Sequence, residues 1–331
     1  MLAMSSALLV TLLLAAPQGA DTAPAASVRG ITISTHGSGR DWGQDVIVPT
    51  IASIRDVGAT WIATHPYAQI GADGSVRFRG FKDATPPRHL TRPIEEAHRQ
   101  GLKIMIKPHL AYWGSPFSWR GEIDFADRAE RKRFWTEYRR WIVTLARACR
   151  DADAFVVGTE VDRLLGDVAE WRALIRDVRA ETKAPLTYAA NWTDYRRVGF
   201  WDALDAIGIQ AYFPLTEKPA PTVEDLRAAW QQQMAELRDY SAEVGRPVVF
   251  SELGYNRSHR AAATPWESHT DGEDAEPLQL DCMRVALEAV EAESTVVGAF
   301  LWKWFPTSRR RHGNFLVDTP RMRAVVRSAW H

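Results

Sequence analysis

The chain has 331 residues, 46% of them hydrophobic, with 41 Lys and Arg set against 41 Asp and Glu. That length and composition suit one large α/β barrel or two ordinary domains and exclude a disordered chain. A formal net charge of zero excludes the broad basic surface that nucleic acid or an anionic membrane demands. The chain opens with MLAMSSALLVTLLLAAPQGADTAPAA, in which residues 8–16 are an apolar run too short to span a bilayer comfortably. Small residues and Pro follow, with cleavage expected after Ala20 or Ala25. We therefore expect an export signal over residues 1–25 and one folded domain over 26–331, delivered to the periplasm or the medium. No Lys or Arg precedes the apolar run, which leaves an uncleaved membrane anchor as the alternative. No later segment is long and apolar enough to cross a membrane.

From residue 28 onward, short apolar runs alternate with longer periodic segments. The runs cover 28–34, 60–64, 103–107, 154–159, 186–190, 206–211, 248–251 and 296–302. They are continuously apolar or β-branched, as strands buried on both faces should be. Helical spacing covers 45–57, 92–100, 126–150, 168–182, 223–244, 277–291 and 320–330. Thr222 is the expected N-cap of the fifth helix, with Glu224 and Asp225 in its first turn. Gly58, Gly101 and Gly245 mark helix exits. About eight strand–helix units in this length predict a single (β/α)₈ TIM barrel. A doubly wound sheet would carry a glycine-rich phosphate loop after its first strand, and ITISTHGSGRDWG does not match one. The long loops 65–89, 110–124 and 256–276 all follow strands, which places them on the face where barrels carry their active sites.

Two of the strands end in a carboxylate. AFVVGTEVD places Glu160 at the end of the fourth, and VVFSELGYN places Glu252 at the end of the seventh. A half-buried carboxylate costs several kcal/mol unless it is paired, and two converging cost more. One such Glu alone is explained by an Arg partner or a helix cap. Two on one rim point to glycoside hydrolysis, which needs a protonated acid and an ionised nucleophile flanking the scissile bond.

The blocks IKPHL (106–110), SWRGEIDF (118–125), VVGTEVD (156–162), GIQAYFPL (208–215) and SELGY (251–255) together resemble the clan A glycoside hydrolases. Within that clan the chain is most similar to family 113, whose characterised members are β-mannanases. The resemblance implies a retaining enzyme acting by double displacement on a β-linked glycan, with β-1,4-mannan as the expected substrate. It implies Glu160 as general acid/base and Glu252 as the nucleophile that forms a covalent glycosyl-enzyme. It also implies that Tyr212 hydrogen-bonds the nucleophile; core packing is the alternative for that ring. Thr159 departs from the pattern, since many clan A families place there an Asn that binds the sugar 2-hydroxyl. A hydroxyl reaches less far, which leaves room for Asn191 at the end of the fifth strand.

Sugars present flat C–H faces ringed by hydroxyls, so their clefts combine aromatic rings with polar groups. The chain has 14 Trp. Trp113, Trp119, Trp192, Trp302 and Trp304 fall in or beside loops that follow strands, whereas Trp135, Trp141, Trp171 and Trp230 fall on helices and are expected to pack. We expect Trp302, Trp119 and Trp304 to line the cleft. Lys107, His109, Arg120 and Glu122 are further candidates for gripping hydroxyls. His65 and His109 end the second and third strands and raise a metal-dependent hydrolase as a rival, but no HxH or HExxH spacing supports a metal. A barrel that binds glycan without cutting it is the other rival. We expect no cofactor, no metal, a carbohydrate partner and a monomer. Cys149 and Cys282 are expected as buried free thiols, with one disulfide as the alternative.

Overall fold

A computed structural model describes residues 28–78, 85–306 and 314–331. The expected export segment lies outside the described residues. Each of the eight expected strands forms: β1 Val28–Ile33, β2 Trp61–Thr64, β3 Lys103–Ile106, β4 Ala154–Thr159, β5 Leu186–Asn191, β6 Ile207–Gln210, β7 Val248–Leu253 and β8 Val296–Trp304. They pair in parallel and in chain order, and β8 returns to β1 to close a barrel. The helices are α1 Ile47–Arg55, α2 Arg88–Arg99, α3 Arg128–Ala148, α4 Val168–Glu181, α5 Val223–Val244, α6 Glu276–Ala292 and α7 Pro320–Trp330. The chain is thus a (β/α)₈ barrel in which the link from β5 to β6 uses two 3₁₀ turns, Tyr195–Arg197 and Trp201–Ala203, instead of a helix.

Alternation along the strands explains the closure. Ala63, Met105, Val156, Ala189, Val249 and Phe300 point inward and fill the barrel. Their neighbours of opposite parity, such as Ile62, Ile104, Phe155, Val157 and Phe250, join the layer under the helices. Gly30 on β1 makes room for the largest inward ring, because a Cβ there would lie 2.4 Å from Phe300. Trp141, Trp171 and Trp230 are fully buried on their helices, as expected. Each removes enough apolar surface to contribute a few kcal/mol, roughly 25 cal/mol per Å². Thr222 and Asp225 cap α5 reciprocally, and Gly245 leaves it in the left-handed conformation at φ 70°.

Two local expectations change. α2 starts a turn earlier than 92, because Pro87 is extended and Arg88 already turns helical, which leaves Pro93 inside the helix. The loops after β2 and β3 are not plain loops. Tyr67–Ile70, Val76–Arg77 and His109–Ala111 form a three-stranded sheet over the barrel mouth. Its hairpin reverses at Asp73 and Gly74, a pair suited to a tight turn, with Gly74 at φ 78°.

Candidate active site

Both glutamates stand on strands that gain a residue just before them. Between Phe250 and Glu252, β7 has one residue more than β6. Between Val156 and Thr159, β4 has one more than β5. Such a bulge re-aims the side chains that follow it. Val249 pairs with Gly208 and faces the barrel interior, and Glu252 pairs with Gln210, two residues on from Gly208. The extra residue therefore turns Glu252 into the mouth, where strict alternation would have sent it toward the helices.

Glu252 is 4% exposed. Lys107, just past β3 and fully buried, donates to its Oε1 and to the Ser251 carbonyl at 3.0 Å. The Tyr212 hydroxyl donates to its Oε2 at 2.6 Å. His109 Nε2 lies 3.6 Å from Oε1. Burial alone pushes the Glu252 carboxyl up, but the Lys107 charge and the hydrogen bonds from Lys107 and Tyr212 outweigh it and hold the carboxyl below its usual value. Burial and the nearby negative charge push the Tyr212 phenol well up, so it stays a donor.

Trp302 on β8 closes this side. The Lys107 ammonium lies 5.1 Å from its ring, His65 5.2 Å, and His109 stacks on it at 5.9 Å. The Trp302–Lys303 peptide is cis. Burial, with Lys107 and Arg120 among the neighbouring cations, pulls both histidines well below their ordinary range, so they are neutral rings. His65 and His109 stack on each other at 5.0 Å. Among the described residues no three His, Cys, Asp or Glu side chains converge as a metal-ligand set.

Glu160 follows β4 directly with φ 49°, a left-handed conformation that costs a residue with a Cβ about 1–2 kcal/mol. Its backbone N–H donates to the Ala189 carbonyl at 2.9 Å. Its side chain is half-buried, and Arg120 donates to its Oε2 at 2.8 Å from the loop after β3. Arg120 had been expected to grip sugar hydroxyls; it pairs with a carboxylate instead. Trp119, its neighbour, is half-buried, and its ring lies so close over Gly121 that a Cβ there would meet it at 2.1 Å.

Three of the residues expected at the sugar have partners within the fold. Thr159 is 2% exposed and its hydroxyl donates to the Pro108 carbonyl at 3.0 Å. Asn191 turns its side-chain carbonyl onto Thr193, at 3.3 Å from both the backbone N–H and the hydroxyl. Trp304 is 5% exposed, with the Arg323 guanidinium of α7 over its ring at 5.2 Å. β8 runs two residues past its expected end; Trp304 belongs to the outer packing layer, and Trp302 faces the mouth. Cys149 and Cys282 are free and buried.

Two residues of the mouth were not singled out from the sequence. Asp162 is buried, with neither carboxyl oxygen hydrogen-bonded. Burial, then the charges of Glu160 and Asp194, push it up to about 8. Its place two residues after Glu160 was the one available signal. Lys303, beside Trp302, is the other. Farther out, Trp113 and Trp266 are exposed; Trp113 packs on Tyr67 and Tyr112, and Trp266 stacks on Trp192 at 5.4 Å.

A model of Glycoside Hydrolase Family 113 matches residues 31–314. The solved β-mannanase AaManA of Alicyclobacillus acidocaldarius, in complex with ManMIm, is similar at TM-score 0.80 and 23% identity, over 92% of this chain and 97% of that one. A second solved family 113 β-1,4-mannanase gives TM-score 0.78 at 20% identity, over 92% and 98%. A β-glucuronidase of Faecalibacterium prausnitzii gives 0.62 at 16% identity, over 92% of this chain and 48% of that chain. No match is found among curated protein sequences.

Proposed function

The chain belongs to glycoside hydrolase family 113, and from that premise we propose a retaining β-1,4-mannanase with Glu252 as nucleophile and Glu160 as general acid/base. The observation that carries this reading is the unlike treatment of two carboxylates in one barrel mouth. Glu252 is dry, ionised and aimed by Lys107 and Tyr212. Glu160 is more open and, among the described residues, has a single side-chain partner, Arg120. In this reading Glu252 attacks the anomeric carbon while Glu160 gives its proton to the leaving oxygen. Glu160 then takes a proton from the water that releases the sugar from Glu252, so each carboxyl ends as it began. Trp302 lies under the sugar being cleaved. The mannan substrate is supported by the similar solved enzymes being β-mannanases, and by their likeness over 92% of this chain.

The test is hydrolysis of β-1,4-manno-oligosaccharides by the purified protein, beside cello-oligosaccharides and the variant Glu252→Gln. We expect cleavage of the manno series and a loss of at least about 10⁴-fold in the variant. Cleavage of the cello series alone would replace the substrate, and turnover that survives Glu252→Gln would remove the mechanism. Export through residues 1–25 and a monomeric state belong to the same proposal. Amino-terminal sequencing of protein recovered outside the cytoplasm and sizing in solution test them.

A further inference from the structure

Each carboxylate of the mouth has its own cation: Lys107 serves Glu252 and Arg120 serves Glu160. Lys303 on β8 is a third cation without a carboxylate. It is half-buried, and among the described residues its ammonium has no hydrogen-bond or ion-pair partner. It lies over rings instead, 5.1 Å from Trp302 and 5.3 Å from Phe305. Burial pulls the ammonium below its ordinary value, and the Glu252 charge opposes this only in part.

Lys303 forms one wall of a cavity of about 300 Å³, whose other walls are His36, Ser268, Thr270, Phe305 and Asn314. The cavity opens on the rim that carries the glutamates, between the ends of β1 and β8 and the loop 256–276. His36 and Phe305 stack face to face at 4.2 Å and 7°. The side-chain oxygen of Asn314 is buried without a donor. The walls therefore offer an unpaired cation, two hydroxyls and the outer face of the exposed His36 ring, which covers the buried Phe305. The hydroxyls of a neutral sugar would accept from the Lys303 ammonium but leave its charge uncompensated as water is displaced. A sugar carrying a carboxylate gives that ammonium a charged acceptor: carboxylate on Lys303, hydroxyls on Ser268 and Thr270, C–H face on the exposed ring of His36.

We propose that the Lys303 cavity is a subsite for an anionic sugar, so that the β-glycan cut by this chain carries a uronate unit at or beside the cleaved one. The proposal rests on the reading of the chain as a glycan hydrolase and sharpens its substrate.

The experiment measures binding of β-1,4-manno-oligosaccharides, and of the same oligosaccharides oxidised at C6 to uronates, to the Glu252→Gln protein by calorimetry. We expect the oxidised series to bind roughly tenfold more tightly at low salt, with the gap narrowing as salt rises. Adding Lys303→Met should erase the preference and leave neutral affinity in place. Adding Lys303→Arg should keep most of the preference, and matched melting temperatures show that both variants fold. Equal or tighter binding of the neutral series, or a preference that survives Lys303→Met, overturns the subsite. Hydrolysis of the neutral series by the wild-type protein reports on the mannanase reading separately. Turnover without a uronate preference overturns the subsite alone; binding of neither series overturns both.

Discussion

On β7, Glu252 is clamped by Lys107 from beyond β3 and Tyr212 from beyond β6, with the neutral His109 ring of the sheet over the mouth packed nearby. On β4, Glu160 leaves the strand in a left-handed turn and is held by one arm, Arg120, which comes from a loop. The two carboxyls share a rim and differ in everything that surrounds them. A nucleophile is needed in one protonation state and one direction, so a rigid, dry clamp suits it. An acid/base must lose and regain a proton in every cycle, so it suits a carboxyl whose partner can be exchanged for a sugar oxygen or a water. The contrast supports the proposed roles better than the mere presence of two glutamates does.

The largest expected effect separates the two directly. Glu160→Ala should lower kcat/KM on manno-oligosaccharides by about 10³-fold, yet leave cleavage of a dinitrophenyl glycoside nearly intact, because that leaving group needs no proton. Added azide should then speed the reaction and yield a glycosyl azide of retained configuration. Glu252→Ala should abolish turnover of both substrates. If the two variants respond alike to the leaving group, the contrast drawn here is not catalytic.

Lys107→Met tests the clamp. Removing one member of a buried ion pair leaves the other charge unpaired, at a cost of about 3–5 kcal/mol. We expect a clear drop in denaturation midpoint, partly recovered in Lys107→Met/Glu252→Gln, where no charge is stranded. Glu252 must be ionised to attack, and Lys107 is the main influence that holds its carboxyl down against burial. Its loss should therefore move the acid limb of kcat/KM to higher pH and lower the plateau by about 10²-fold. Tyr212→Phe removes a single hydrogen bond at 2.6 Å. It should move the same limb the same way by less, with a loss of about tenfold. A limb that moves more for Tyr212 than for Lys107 would reverse their ranking.

The sequence made the frame of this site legible and hid its wiring. Eight apolar runs showed all eight strands, since a strand buried on both faces leaves a continuous apolar signature. Glu160 and Glu252 were visible because a carboxylate interrupts that signature. Of their partners, Tyr212 was named through the resemblance, while Lys107 and Arg120 were named only as candidates for gripping sugar hydroxyls. Lys107 and Glu252 are 145 residues apart in the chain, and no local pattern pairs them. The two bulges were invisible too, since one extra residue in a six-residue strand does not alter its composition. Thr159 was read as facing sugar from the position it takes in the resemblance, and Trp304 from its place just past an expected strand end; neither position reveals that the hydroxyl bonds the Pro108 carbonyl or that the ring packs under Arg323. Asp162 looked like an ordinary polar loop residue, since burial cannot be read from a single Asp.

Asp162 supplies the smallest expected effect and the only one with a positive sign for stability. Its carboxyl keeps its proton in the native protein up to about 8, from an ordinary value of 3.8. Between those values the unfolded chain ionises and the native chain does not, so each step upward in pH favours unfolding. The penalty begins near pH 4 and is complete above about pH 8. Asp162→Asn keeps the shape and removes the ionisation. Its melting temperature should match wild type near pH 4 and exceed it by roughly 5 °C at pH 8, with kcat/KM at pH 6 within about twofold. A variant no more stable than wild type at pH 8 would mean that Asp162 is already ionised and paired beside Glu160. The mouth would then hold a third negative charge, and the tally that leaves Lys303 without a carboxylate would close inside the protein.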